Sequence, residues 1–211
     1  MNRRRLLRAA ALLAVSASPL AFGGSPSLAA AGNIDIEAIL NDPETPVAGN
    51  PEGDVTIVAF MDYNCPFCKK SSPDLERLVQ TDGKLRLVYK DWPILTEASV
   101  YGARQALAAK YQGRYHDVHV ALMGIHGQKI TEEHMLAAIK AAGVDMTKLA
   151  DDLNAHDADI TALLKRNVDE ADSLGLQGTP VFLIGPYKVA KALDYDEFKE
   201  VVANFRERVG K

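Results

Sequence analysis

The chain has 211 residues, 47% of them hydrophobic, enough to bury one sizeable core. Its 28 acidic residues outnumber 24 basic ones, a balance that argues against nucleic acid or an anionic lipid surface as the main partner. Two cysteines are too few to build a zinc site of four thiolates, and they stand too close together for a disulfide to stabilise much by closing a loop.

Residues 1–31 differ from the rest. Arg3, Arg4, Arg5 and Arg8 make a basic start, Ala9 to Ala17 is mostly apolar, and small residues lead to Ala29-Ala30-Ala31. This is the pattern of a secretory signal, expected to be cleaved after Ala31, with Ala29 as the alternative. The apolar stretch is too short to span a membrane, so the mature chain is expected to carry no span. Arg3-Arg4-Arg5-Leu6-Leu7-Arg8 also resembles the twin-arginine export pattern, with Asn2 where Ser or Thr is usual and Leu6 where Phe is usual. Either route places the protein outside the cytoplasm, where a cysteine pair can stay oxidised. Cleavage removes four arginines and no acid, which takes the net charge from −4 to −8.

Asn33 is expected to cap a short helix over Ile34 to Leu40, and the Pro- and Gly-rich stretch 41–54 reads as an extended lead-in. Val55 to Met61 is a strand. It feeds Asp62-Tyr63-Asn64-Cys65-Pro66-Phe67-Cys68, where the two-residue spacing puts both sulfurs on the first turn of one helix and Pro66 suits that turn. The partial positive charge and free N–H groups of a helix N-terminus stabilise the Cys65 thiolate, making it nucleophile and leaving group, with Cys68 placed to resolve. Cys65 is expected to be exposed and Cys68 shielded. Pro73 falls inside the same helix, which is expected to kink or restart there. Leu85 to Lys90 is a second strand, and the resulting β-α-β unit puts the cysteines at a strand's C-terminal end.

From Glu97 to Ala171 the pattern is helical almost without a break: Ala98 to Tyr111, Tyr115 to Ile125, a segment opened by Thr131, a fourth capped by Asp145 or Thr147, and Asp157 to Leu174. That far exceeds a simple crossover and reads as an inserted helical subdomain. Strands are expected after Gly178-Thr179-Pro180 and over Tyr187 to Ala192, followed by a helix from Asp194 to Val209. The expected organisation is a signal (1–31), an N-terminal helix and lead-in (32–54), a first half (55–96), the helical insertion (97–175) and a second half (176–211). His116, His119, Met123 and His126 have spacing that soft or borderline metals use, but a mixed helix face is the commoner meaning, and no metal site is assigned. Tyr89 and Trp92 either line a groove or pack in the core.

The Asp62–Cys68 motif, the Lys90-Asp91-Trp92-Pro93 strand end, the helical insertion and Gly178-Thr179-Pro180 together resemble the DsbA family of periplasmic thiol–disulfide oxidoreductases. Asn41-Asp42-Pro43-Glu44-Thr45-Pro46 is most similar to its DsbA-like and suppressor-of-copper-sensitivity C-type members. The resemblance implies an α/β thioredoxin fold with the all-helical subdomain inserted between βαβ and ββα halves. It also implies a cis Thr179-Pro180 bond beside Cys65, with Thr179 and Pro180 binding an extended substrate segment. Cys65 and Cys68 would be the catalytic pair, with Pro66 and Phe67 tuning it. Three positions depart from the family: Ala59 stands where a buried carboxylate is usual, Phe67 where strongly oxidising members carry His, and Lys191 where Gly is common. Lys90 is placed near the site but not as the missing proton acceptor.

The implied activity needs no cofactor. It is exchange of disulfides with exported cysteine-containing proteins, as an oxidase, by a monomer served by a DsbB-like or DsbD-like membrane partner. Isomerase or reductase work, or periplasmic Cu(I) binding through the two thiolates, are the alternatives.

Overall fold

A computed structural model describes residues 34–127 and 129–210. The signal segment and Asn33 lie outside them. The first helix, α1 (Ile36–Asn41), is capped by Asp35, whose carboxylate accepts the Ala38 N–H at 3.0 Å. It therefore starts two residues later than expected, because a carboxylate at Asp35 satisfies a first-turn donor.

The extended lead-in contains a strand that the sequence did not reveal, β1 (Val47–Gly49), three residues long, with Pro46 before it and Asn50-Pro51 after it. It pairs antiparallel with β3 (Leu85–Asp91), which in turn runs parallel to β2 (Val55–Met61). On the other side of β2 comes β4 (Val181–Ile184), antiparallel, and then β5 (Tyr187–Val189), giving the order β1-β3-β2-β4-β5. β5 is shorter than expected and ends before Lys191. The β4–β5 hairpin turns through Gly185 at φ +55°, where a Cβ would come within 2.4 Å of the Phe205 ring, so both backbone and space call for glycine.

The central strands are buried on both faces, which hides the usual alternation. Ile57, Ala59, Met61, Leu87 and Tyr89 pack on one face with α2 (Pro66–Asp82) and α8 (Tyr195–Val209). Val58, Phe60, Val88 and Trp92 pack on the other, against Ile39 of α1 and Ala171 of α7 (Asp157–Ser173). Helices α3 (Glu97–Ala109), α4 (Tyr115–Met123), α5 (Glu132–Ala141), α6 (Met146–Ala155) and α7 lie in sequence between β3 and β4. The chain thus has a βαβ half and a ββα half with helices inserted between them.

α2 runs unbroken through Pro73. Proline removes one backbone donor there, but Leu75, Leu78 and Val79 of the next turns are buried against the sheet and hold the helix in one piece. Ser71 pins its middle: its hydroxyl donates to the Leu193 carbonyl at 2.6 Å and accepts the Leu193 N–H at 3.1 Å.

Candidate active site at the start of helix α2

β2 ends in a turn organised by Asp62. Its buried carboxylate accepts the N–H groups of Asn64 (2.7 Å), Ile94 (2.8 Å) and Leu95 (3.0 Å) and the Ser99 hydroxyl (2.7 Å). One residue thereby locks the approach to Cys65 to the loop after β3 and to the first turn of α3. Asn64 adds a hydrogen bond to Thr96, the N-cap of α3 (2.6 Å).

Cys65 is the N-cap of α2, and Pro66 is its first residue. The Cys65 sulfur accepts the Cys68 N–H at 3.4 Å and lies 3.2 Å from the Thr179 carbonyl oxygen. The Thr179-Pro180 bond is cis, and both ladders of β4 stop short of Thr179, at Val181 and Phe182. Cys65, Cys68, Thr179 and Pro180 are therefore brought together, as the resemblance implied, although 114 residues separate the first from Thr179.

The two cysteines are free thiols with unlike surroundings. Hydrogen bonding from Cys68 holds Cys65 down at about 6, against burial, with help from the Thr179 side chain and the N–H groups of Cys68 and Phe67. The Thr179 hydroxyl is buried and has no hydrogen-bond partner among the described residues. Burial pushes the Cys68 thiol well above the ordinary range, and its neighbour's charge pushes it further. The expectation of an exposed Cys65 needs correction. It keeps 3% of its surface and Cys68 keeps 0%, because the Thr179 segment sits against the sulfur. Phe67, by contrast, is 62% exposed and stands at the rim.

Lys90 does not lie near the sulfurs. Its neighbour in the ladder is Phe60, on the face away from Ala59, and its buried ammonium lies 3.0 Å from Glu170 of α7. Tyr89 and Trp92 are core residues on opposite faces, not groove walls.

On the cysteine face lies a buried polar cluster that sequence reasoning missed. Asp91 accepts the Tyr115 hydroxyl at 3.0 Å and, buried throughout, titrates at about 7. Tyr63, two residues before Cys65, hydrogen-bonds His119 through its hydroxyl (3.1 Å), and His119 packs against the Tyr89 and Tyr115 rings. Burial pushes His119 down to about 4, so its ring is neutral at neutral pH. His116 instead pairs with Glu76 at 2.8 Å. Two of the three histidines of the candidate metal pattern thus make their hydrogen bonds to different residues, although His119 also comes within 3.9 Å of Glu76. The only signal for Asp91 was an acid inside a strand, in a segment singled out for other reasons.

The family described as Thioredoxin matches residues 41–204. The chain belongs to the thioredoxin family. Its solved neighbours are DsbA-like. A thioredoxin-like oxidoreductase from Silicibacter pomeroyi DSS-3 is 40% identical, with a TM-score of 0.76 covering 82% of this chain and 98% of that one. The thiol-disulfide exchange protein alpha-DsbA2 from Wolbachia pipientis is 29% identical, with a TM-score of 0.75 over 80% and 91%. The catalytic domain of ScsC from Proteus mirabilis is 27% identical, with a TM-score of 0.72 over 83% and 94%. Among curated proteins, the chain matches a Na+/H+ antiporter of Salinispora tropica at 28% identity over 76% of this chain but only 26% of that protein. The chain spans about a quarter of the length of the curated antiporter relatives it matches. The thioredoxin fold with helices inserted between its halves is thus the fold of this family member. Among the described residues no helix is long and apolar enough to cross a membrane.

Proposed function

We propose that this thioredoxin-family chain is a thiol–disulfide oxidoreductase that works as an oxidase on exported proteins in the periplasm. A substrate thiolate attacks the Cys65 sulfur of the oxidised pair. The Cys65–Cys68 bond breaks, Cys68 leaves as a thiolate and takes up a proton in its buried site, and a mixed disulfide holds the substrate on Cys65. A second substrate thiolate then attacks the substrate sulfur and expels the Cys65 thiolate, so two electrons pass to the pair. Pro66 and Phe67 tune Cys65, while Thr179 and Pro180 border the place where the substrate segment lies.

The observation that carries the reading is the asymmetry of the thiols, with Cys65 held at about 6 and Cys68 pushed up by burial. A stabilised Cys65 thiolate favours the reduced enzyme, which makes the disulfide form an oxidant and favours oxidase over reductase work. Reoxidation by a DsbB-like membrane partner follows from that direction, and the chain acts as a monomer. A Cu(I) carrier needs both sulfurs as thiolates, and the burial of Cys68 opposes this.

The test is a pair of single variants incubated with exported proteins whose cysteines are joined in disulfides, so that the remaining thiolate attacks one substrate sulfur and the other leaves as a thiolate. Cys68→Ser is expected to accumulate mixed disulfides through Cys65, and Cys65→Ser to accumulate few. Equal trapping by both, or none by either, overturns the assignment. Equilibration of the parent with glutathione then reads the direction.

A further inference from the structure

Two grooves flank the Cys65-Pro66 corner. One, of about 690 Å³, runs along residues 175–181 and is bordered by Phe67, Lys70, Lys188 and Lys191. The other, of about 650 Å³, is bordered by Asn64, Lys69, Lys70, Ile125 and His126. Every titratable side chain lining either groove, among the described residues, is a base. That is unexpected in a chain whose acids outnumber its bases.

The bases are not equivalent. Lys191 is neutralised by Glu197 at 2.6 Å. Lys69 gives its ammonium to the Leu122 carbonyl at 2.5 Å and is pushed down by burial to about 8. Lys188 has a carbonyl partner, Leu174, at 3.0 Å, which leaves its charge uncompensated. Lys70 makes no ion pair among the described residues. Lys70 and Lys188 therefore stand without an ion-pair partner among the described residues on the rim of the 690 Å³ groove, which the Thr179 backbone that both ladders leave unpaired also lines, although Glu197 feels the Lys70 charge.

We infer that this groove selects extended segments whose cysteine is flanked by carboxylates, with Lys70 and Lys188 as the specificity-determining cations. The inference rests on the exchange reading above and adds a substrate class to it. An extended segment lies against Thr179 with its thiol at Cys65, its acidic side chains meet the two ammonium groups, and the chemistry is unchanged. Complementary charge acts mainly on the rate of encounter, and salt screens it over a distance of about 8 Å at physiological ionic strength.

Three peptides test this, identical except that the single cysteine is flanked by Glu, Gln or Lys. Each reacts with the oxidised full chain. Two peptide thiols deliver two electrons, giving the reduced protein and the peptide disulfide. Rates are divided by those of the same peptides with a small uncharged disulfide, which removes the effect of flanking charge on the peptide thiol itself. At low ionic strength the Glu peptide is expected to react about tenfold faster than the Lys peptide. High salt, or the double variant Lys70→Gln/Lys188→Gln, should bring that ratio towards one, and Lys70→Arg/Lys188→Arg should preserve it. Equal normalised rates in the parent, or a ratio that the Gln variant leaves untouched, overturn the inference while leaving the exchange reading intact. If none of the three peptides opens the disulfide, the exchange reading itself falls.

Discussion

At the scale of single residues, Cys65 is controlled by groups that the fold brings to it, and each has a measurable signature. With its thiol held at about 6, alkylation of Cys65 is expected to reach half its maximal rate near that pH, while Cys68 resists until far more alkaline conditions. Mass-resolved labelling of the reduced protein across pH separates the two, and preferential modification of Cys68 would contradict the arrangement. The buried, unpartnered Thr179 hydroxyl belongs to the residue whose carbonyl meets the sulfur and can turn to donate to the thiolate, so Thr179→Val should raise the Cys65 pKa and make the pair more reducing. One hydrogen bond of ~0.5–1.5 kcal/mol corresponds to a shift of about 10–30 mV for a two-electron couple. Glutathione equilibration reads it, and an unchanged potential would mean the hydroxyl does not reach the sulfur.

Between elements, the working end depends on ties that span long stretches of chain. Asp62 binds the pre-cysteine turn to the loop after β3, and Ser71 binds α2 to the start of α8 through both backbone groups of Leu193. Ser71→Ala leaves a buried N–H and a buried C=O without their partner, an expected loss of ~1–3 kcal/mol. Urea unfolding should show the lower midpoint with an unchanged slope. A loss of a few tenths of a kcal/mol would mean that water replaces the hydroxyl. The ββα half also reaches back to the first half through Arg206, which pairs with Asp54 before β2 and Asp82 at the end of α2, both at 2.7 Å.

The whole molecule carries two buried titrating groups whose effects on stability oppose each other. Burial raises Asp91 from its ordinary value near 3.8 to about 7, so the folded state keeps a proton that the unfolded chain releases. Its contribution is fully present below about pH 4 and is lost as pH rises through about 7. Burial lowers His119 from 6.5 to about 4, so the unfolded chain takes up a proton first and stability falls as pH drops through that window. The two slopes run against each other between about pH 4 and 7. Asp91→Asn removes one of them. It should melt higher than the parent at pH 8, by roughly 2–4 °C for each kcal/mol gained, with the gap closing towards pH 4. A gap that does not change with pH would place the Asp91 titration elsewhere.

The DsbA-like signature was legible in the sequence because it is local: a strand, a turn, Cys-Pro-Phe-Cys at a helix start, and Thr-Pro before a later strand each have spacing or residue chemistry of their own. So was the helical insertion, since its apolar residues recur at helical period over about 75 residues. β1 was not legible, because three residues after Pro46 carry no period and become a strand only when β3 offers a partner. Nor was the side of the sheet on which Lys90 and Asp91 fall. Adjacent strand residues point to opposite faces, but which face holds the cysteine helix follows from the packing of α2 and α7. The burial of Cys65, the about-7 titration of Asp91 and the basic grooves have the same origin. Each depends on groups distant in sequence meeting in space, where their solvation and charge are set by neighbours that no local pattern encodes.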